Sequence, residues 1–90
     1  MDTTLCIPSI EEKISLEYVK TTFEKMRFGQ ITSIFEVPVR EGYKRIMIKM
    51  RMDEETSNGS YILGRINNGQ NVKIVHNNPF YWKMELGRKH

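Results

Sequence analysis

Cysteine occurs once in these 90 residues, at Cys6, so no disulfide can form within the chain. A small secreted domain without disulfides is unusual, so an intracellular setting, cytoplasm or nucleus, is expected. Histidine occurs only at His76 and His90, and no His/Cys cluster has the spacing of a metal site. A glycine-rich phosphate loop and a nucleophile motif are also missing. These gaps argue against an enzyme, and no cofactor is expected. No apolar run approaches the ~20 residues that span a bilayer, so no membrane partner is expected. Met1-Asp2-Thr3-Thr4-Leu5 has neither the basic start nor the apolar stretch of a signal peptide. Repeats and low-complexity segments are absent. One domain over 1–90 remains, with a core over about 4–86 and a basic tail over 87–90.

What is present centres on Tyr43-Lys44-Arg45-Ile46-Met47-Ile48-Lys49-Met50-Arg51-Met52. Strand side chains alternate with period two. Tyr43, Arg45, Met47, Lys49 and Arg51 therefore share one face, and Lys44, Ile46, Ile48, Met50 and Met52 the other. The second face needs a core. The first combines a ring that can stack on a base with cations that can meet phosphate. An ordinary half-buried strand with a solvated face shows the same alternation. Charge is uneven along the chain: residues 1–39 hold four Lys/Arg against six Asp/Glu, and residues 40–90 hold ten against five. The basic half contains this strand, which suits an anionic partner.

Around the strand the other elements fall into place. Leu5–Ile10 reads as a first strand that ends at Pro8 or bulges there. Ser15 is an expected N-cap for a helix over 15–27, with Leu16, Val19, Phe23 and Met26 as its apolar stripe and Gly29 as a left-handed stop. Ile31–Val39 is β-rich, with Ile31, Ser33, Phe35 and Val37 on one side and Thr32, Ile34 and Glu36 on the other; either side could be buried. Pro38 marks an edge position or the strand's end. Arg40-Glu41-Gly42 forms a turn into the Tyr43 strand, which makes an antiparallel hairpin. A second helix is expected over 56–67, with Tyr61, Ile62, Ile66 and Leu63 inward, although Gly59 weakens it by about 1 kcal/mol. Asn67-Asn68-Gly69 stops it. Val72–His76 is the fourth strand, broken by Asn77-Asn78-Pro79. Phe80–Leu86 is an extended, alternating segment with Phe80 and Trp82 on one side and Tyr81 on the other. The order is βαββαβ: an α+β, ferredoxin-like fold, with a four-stranded antiparallel sheet, both helices on one face and the Tyr43 strand central. Other tenants of that frame do not fit. A metal carrier would need a Cys-x-x-Cys pair, and an acylphosphatase-like enzyme would need an Arg in Ser9-Ile10-Glu11-Glu12-Lys13.

Two segments resemble the signatures of the RNA recognition motif (RRM). Glu41-Gly42-Tyr43-Lys44-Arg45-Ile46-Met47-Ile48 lies over the longer one, basic–Gly–aromatic–small–aromatic–aliphatic–x–aromatic. Gly42, Tyr43 and Ile46 fit, whereas Arg45 replaces the second stacking ring. Leu5-Cys6-Ile7-Pro8-Ser9-Ile10 lies over the shorter one, with Cys6 where a stacking ring is usual. The ending Lys73-Ile74-Val75-His76-Asn77-Asn78-Pro79-Phe80-Tyr81-Trp82-Lys83 is similar to that of short RRM-like proteins of large DNA viruses. The resemblance implies single-stranded RNA, or DNA, bound on the open sheet face. Tyr43 and Arg45 would stack. Met47, Lys49, Arg51, Lys73, Tyr81 and Lys83 complete the candidate site. Because two of the family's three rings are missing, a second expectation stands beside the first: a protein-interaction module using Met47 and the aromatics of the C-terminal segment. Exposure separates them. A bare face at Tyr43, Arg45 and Lys49 favours nucleic acid, and a face covered by the C-terminal segment favours a protein.

Overall fold

The computed structural model of the chain describes residues 2–77 and 80–87. The expected break at Asn78-Pro79 and the basic tail Arg88-Lys89-His90 lie outside the described residues. The elements are β1 (Asp2–Glu11), α1 (Leu16–Met26), β2 (Gly29–Arg40), β3 (Tyr43–Met52), α2 (Ser57–Asn67), β4 (Val72–Asn77) and β5 (Phe80–Leu86).

The four-stranded ferredoxin-like expectation is overturned. The described residues form a five-stranded antiparallel sheet in the order β2-β3-β1-β5-β4. The reason is that the aromatic segment Phe80–Leu86 is itself a strand. It pairs with β1 at Leu5↔Leu86 and Cys6↔Glu85, and on its other side with β4 from Val72↔Met84 to Asn77↔Phe80. The segment expected as the fourth strand is thereby pushed to the edge. The centre of the sheet is β1, not the Tyr43 strand.

Ser15 caps α1 by accepting from the Tyr18 N–H at 3.0 Å. The left-handed residue that ends α1 is Arg27, with φ 53°, rather than Gly29. Gly29 instead lies flat against β3, where a Cβ would meet the Arg51 carbonyl oxygen at 2.6 Å. Val19 and Phe23 are fully buried, and Phe23 packs on Phe28 with ring centroids 5.3 Å apart. Thr56 caps α2, accepting from the Gly59 N–H at 2.9 Å. Of the second helix's expected stripe, Ile62, Leu63 and Ile66 are buried, while Tyr61 lies outside it at 61% exposure. Asn58 ties the helices together, donating from Nδ2 to the Met26 carbonyl at 2.8 Å. That carbonyl belongs to the last turn of α1, where no intrahelical partner is available.

Both helices pack on one sheet face. Val19, Phe23, Ile62 and Ile66 join Leu5, Ile7, Ile46, Ile48, Met50, Ile74, Trp82 and Met84 in one core. Lys44 shares this face and is buried, and its ammonium is met by Glu36 Oε2 at 2.7 Å. Removal of Glu36 would strand the Lys44 charge in a poorly solvated place, whereas removal of Lys44 would leave a carboxylate that water already reaches.

Candidate nucleic-acid interface

The face that the helices leave open is set by register. From Cys6↔Met47 and Cys6↔Glu85 outward, one side chain in two on each strand points away from the core. On β3 these are Tyr43, Arg45, Met47, Lys49 and Arg51. The strand is regular, so its five expected site residues do share one face. Lys73 on β4 and Tyr81 and Lys83 on β5 alternate with the buried Val72, Ile74, Trp82 and Met84, and so lie on that face too. All eight candidate residues are on one surface, in two groups separated by β1. At about 5 Å per strand, β5 and β4 stand about 10 and 14 Å from β3.

The β3 group is the richer. Tyr43 is 40% exposed, and the Arg40 guanidinium sits 4.5 Å from its ring centroid. Lys49 and Arg51 are exposed, while Arg45 and Met47 are half-buried. Arg51 lies 3.8 Å from Asp2, an exposed contact of little energetic weight. In the second group Lys73 and Lys83 are direct cross-strand partners, a like-charge pairing that disfavours the bare sheet and that an anion would relieve. Lys73 Nζ lies 4.9 Å from the Tyr81 ring centroid.

Sequence reasoning missed Phe35. The alternation on Ile31–Val39 left the buried side open, because a β-bulge interrupts it. Ile31 pairs with Met50 and Ser33 with Lys49, so Thr32 is the extra residue. Its hydroxyl donates to the Lys49 carbonyl at 3.1 Å. The parity flips there. Ile31 and Ile34 both reach the core, while Phe35 and Val37 turn to the open face opposite Met47 and Arg45. Phe35 is 46% exposed. The only hint in the sequence was the Ile31/Ile34 spacing of three, which a straight strand cannot bury on one side.

A second bulge falls at the centre of the face. Pro8 and Ser9 stand opposite Arg45 alone, which lets the amide-less Pro8 sit in an interior strand. Beside it Cys6 is buried. Burial pushes its thiol up from the usual range; the Arg45 charge opposes the rise and the Glu85 charge adds to it. Arg45 Nε is buried and has no hydrogen-bond partner among the described residues. A groove of about 840 Å³ runs over this point, between Phe35 and Val37 on one side and Gln70 and Leu86 on the other.

The aromatic cluster divides. Tyr81 joins the open face. Trp82 closes over the core, stacked on His76 at 4.2 Å between centroids and met edge-on by Tyr18 at 5.9 Å. The Tyr18 hydroxyl lies 3.3 Å from His76 Nδ1. His76 is thus part of the helix-side packing. Phe80, 63% exposed, shares the Trp82 side. Among the described residues no three His, Cys, Asp or Glu side chains gather as a metal ion would require, and no helix is long and apolar enough to cross a membrane.

Comparison of the chain with protein-family models, with curated proteins and with solved structures gives no match.

Proposed function

We propose that the protein is a non-enzymatic binder of single-stranded nucleic acid, RNA foremost, which it holds on the open face of its sheet. One observation carries the reading. Tyr43 and Phe35 stand exposed on the same uncovered face as Arg45, Lys49 and Arg51. Among the described residues the C-terminal segment lies in the sheet as β5 and does not cover them. Rings tolerate any base by stacking, and cations follow the backbone. The RRM resemblance at Gly42, Tyr43 and Ile46 supports the same reading. An intracellular setting goes with it, since Cys6 is unpaired.

An NMR titration with short single-stranded RNA and DNA pools at two salt concentrations is the test. Amide shifts should appear around Phe35, Tyr43 and Arg45 and shrink as salt rises. No shifts at low salt would overturn the reading. Phe35→Ala and Tyr43→Ala should each weaken binding by about 1–3 kcal/mol, the value of one stacked base.

A second reading, a protein-interaction module, is favoured by the exposed Phe35, Val37 and Val39 on the edge strand β2, whose outer side is unpaired among the described residues. Shifts along β2 that depend on protein concentration, without oligonucleotide, would point to it.

A further inference from the structure

The polar groups around Cys6 are arranged in a way that base stacking leaves unused. Cys6 lies between β3 and β5, directly opposite Glu85 and diagonal to Arg45. Both charges are close enough to act on its thiol. Yet Arg45 and Glu85 make no ion pair with each other among the described residues. Their strands are about 10 Å apart across β1, and the residue between them is small. The result is a cation and an anion at diagonal positions along the same groove, Met47 standing directly across Cys6 from Glu85, with Arg45 Nε unpartnered among the described residues. A charged group in such a place gains most from a partner that meets it with two hydrogen bonds.

We propose that this cleft takes one unpaired guanine of a single strand, with Arg45 donating to O6 and N7 and Glu85 accepting from N1–H and the N2 amino group. The assignment rests on the nucleic-acid reading above. Guanine alone among the four bases carries two adjacent acceptors on one edge and two adjacent donors on another. Cytosine has paired acceptors but one donor group, and adenine and uracil have no adjacent pair of donors. The Arg fork on O6 and N7 is also the commonest base-specific contact in nucleic-acid complexes. Phe35, on the groove's β2 side, is placed to stack on the base or on its neighbour. Glu85 thus has a purpose on a face whose other exposed charges are mostly cationic, where a carboxylate repels phosphate.

The test is fluorescence anisotropy at one fixed salt concentration. The probes are oligouridine strands carrying a single central G, A, C or inosine, beside the all-uridine strand. The single G keeps the strand from self-associating. The G strand should bind about tenfold or more tighter than the others, and inosine, which lacks the N2 amino group, should fall back toward uridine. Glu85→Gln should lower the G preference and at the same time strengthen all-uridine binding, because it removes a negative charge. A damaged fold would weaken both. Equal affinity for all strands overturns the guanine assignment and leaves the nucleic-acid reading standing. A G preference that survives Glu85→Gln also overturns the assignment. Binding of none of the strands overturns the underlying reading. Displacement of the G strand by free GMP at the strand's own concentration overturns the strand as the occupant, in favour of a mononucleotide.

Discussion

Cys6 stands where the signature that Leu5–Ile10 resembles carries a stacking ring, and its surroundings make it chemically quiet. A thiol reacts as thiolate. Burial disfavours that form, and the nearby Glu85 charge disfavours it further against the opposing pull of Arg45. The native protein should therefore react with a thiol-specific disulfide reagent at pH 8 far more slowly than the unfolded chain, as absorbance at fixed reagent concentration would show. A rate equal to that of the unfolded chain would mean that the groove floor is open. The linkage has a definite sign. The folded pKa lies above the ordinary value of 9.0, so the folded state holds this proton more tightly than the unfolded one. The stability from the protonated thiol is complete below about pH 9 and is lost as pH climbs through the raised value. A Cys6→Ala variant should lack that alkaline loss in denaturant titrations. A buried thiol also leaves a small floor between Glu85, directly opposite it, and Arg45, diagonal to it, which a ring at this position would fill.

At the scale of elements, α2 carries two glycines with opposite demands. Gly59, in the first turn, is buried against the preceding loop. A Cβ there would collide with the Asp53 carbonyl oxygen and stand 2.8 Å from Thr56 Oγ1, the cap atom itself. Gly64 lies on the exposed side of the same helix, and a Cβ there would meet nothing within 4 Å. Gly59→Ala should therefore cost about 1–3 kcal/mol through overpacking. Gly64→Ala should stabilise by about 0.5–1 kcal/mol by reducing the freedom of the unfolded chain. Urea melts of both variants would check the pair, and equal signs would contradict it. The sequence made Gly59 look like a weakness in the helix, because propensity is local and the Asp53 contact is not visible there. The same division runs through the fold. The β3 alternation, the Ser15 cap and the Gly42 hairpin turn, with φ 81°, are local and were legible. The Thr32 bulge was not, since one inserted residue flips a strand's parity without changing its composition. Nor was the pairing of β5 with both β1 and β4. Its alternation was plain, but which neighbours a strand takes is decided by contacts far apart in sequence. The candidate site was legible on β3, half-legible in the Phe80–Trp82 cluster, where only Tyr81 reaches the face, and invisible at Phe35.

At the scale of the molecule, topology converts an uneven sequence into a polarised surface. The basic half of the chain supplies β3, β4 and β5, three of the five strands, and their outward positions bring Arg45, Lys49, Arg51, Lys73 and Lys83 to one face. The acids Asp53, Glu54 and Glu55 lie off that face, in the connection leading into α2. On the proposed reading, such a separation would steer an anionic strand toward the sheet before any base is read. It also fixes how affinity should respond to salt. Each phosphate neutralised on a single strand contributes about −0.7 to the slope of log affinity against log salt. If Lys49, Arg51, Lys73 and Lys83 each meet one phosphate, the slope should be about −3, with Arg51 the weakest contributor because Asp2 shares it. The two groups of cations are about 10–14 Å apart across β1, so a strand must cross the sheet to use both. The double variant Lys73→Gln/Lys83→Gln should then flatten the slope by about 1.4 while the Phe35 and Tyr43 amides still shift on binding. An unchanged slope would mean that the strand runs along β3 and β2 alone. The Lys73–Lys83 pair would then have to be explained by a different anion.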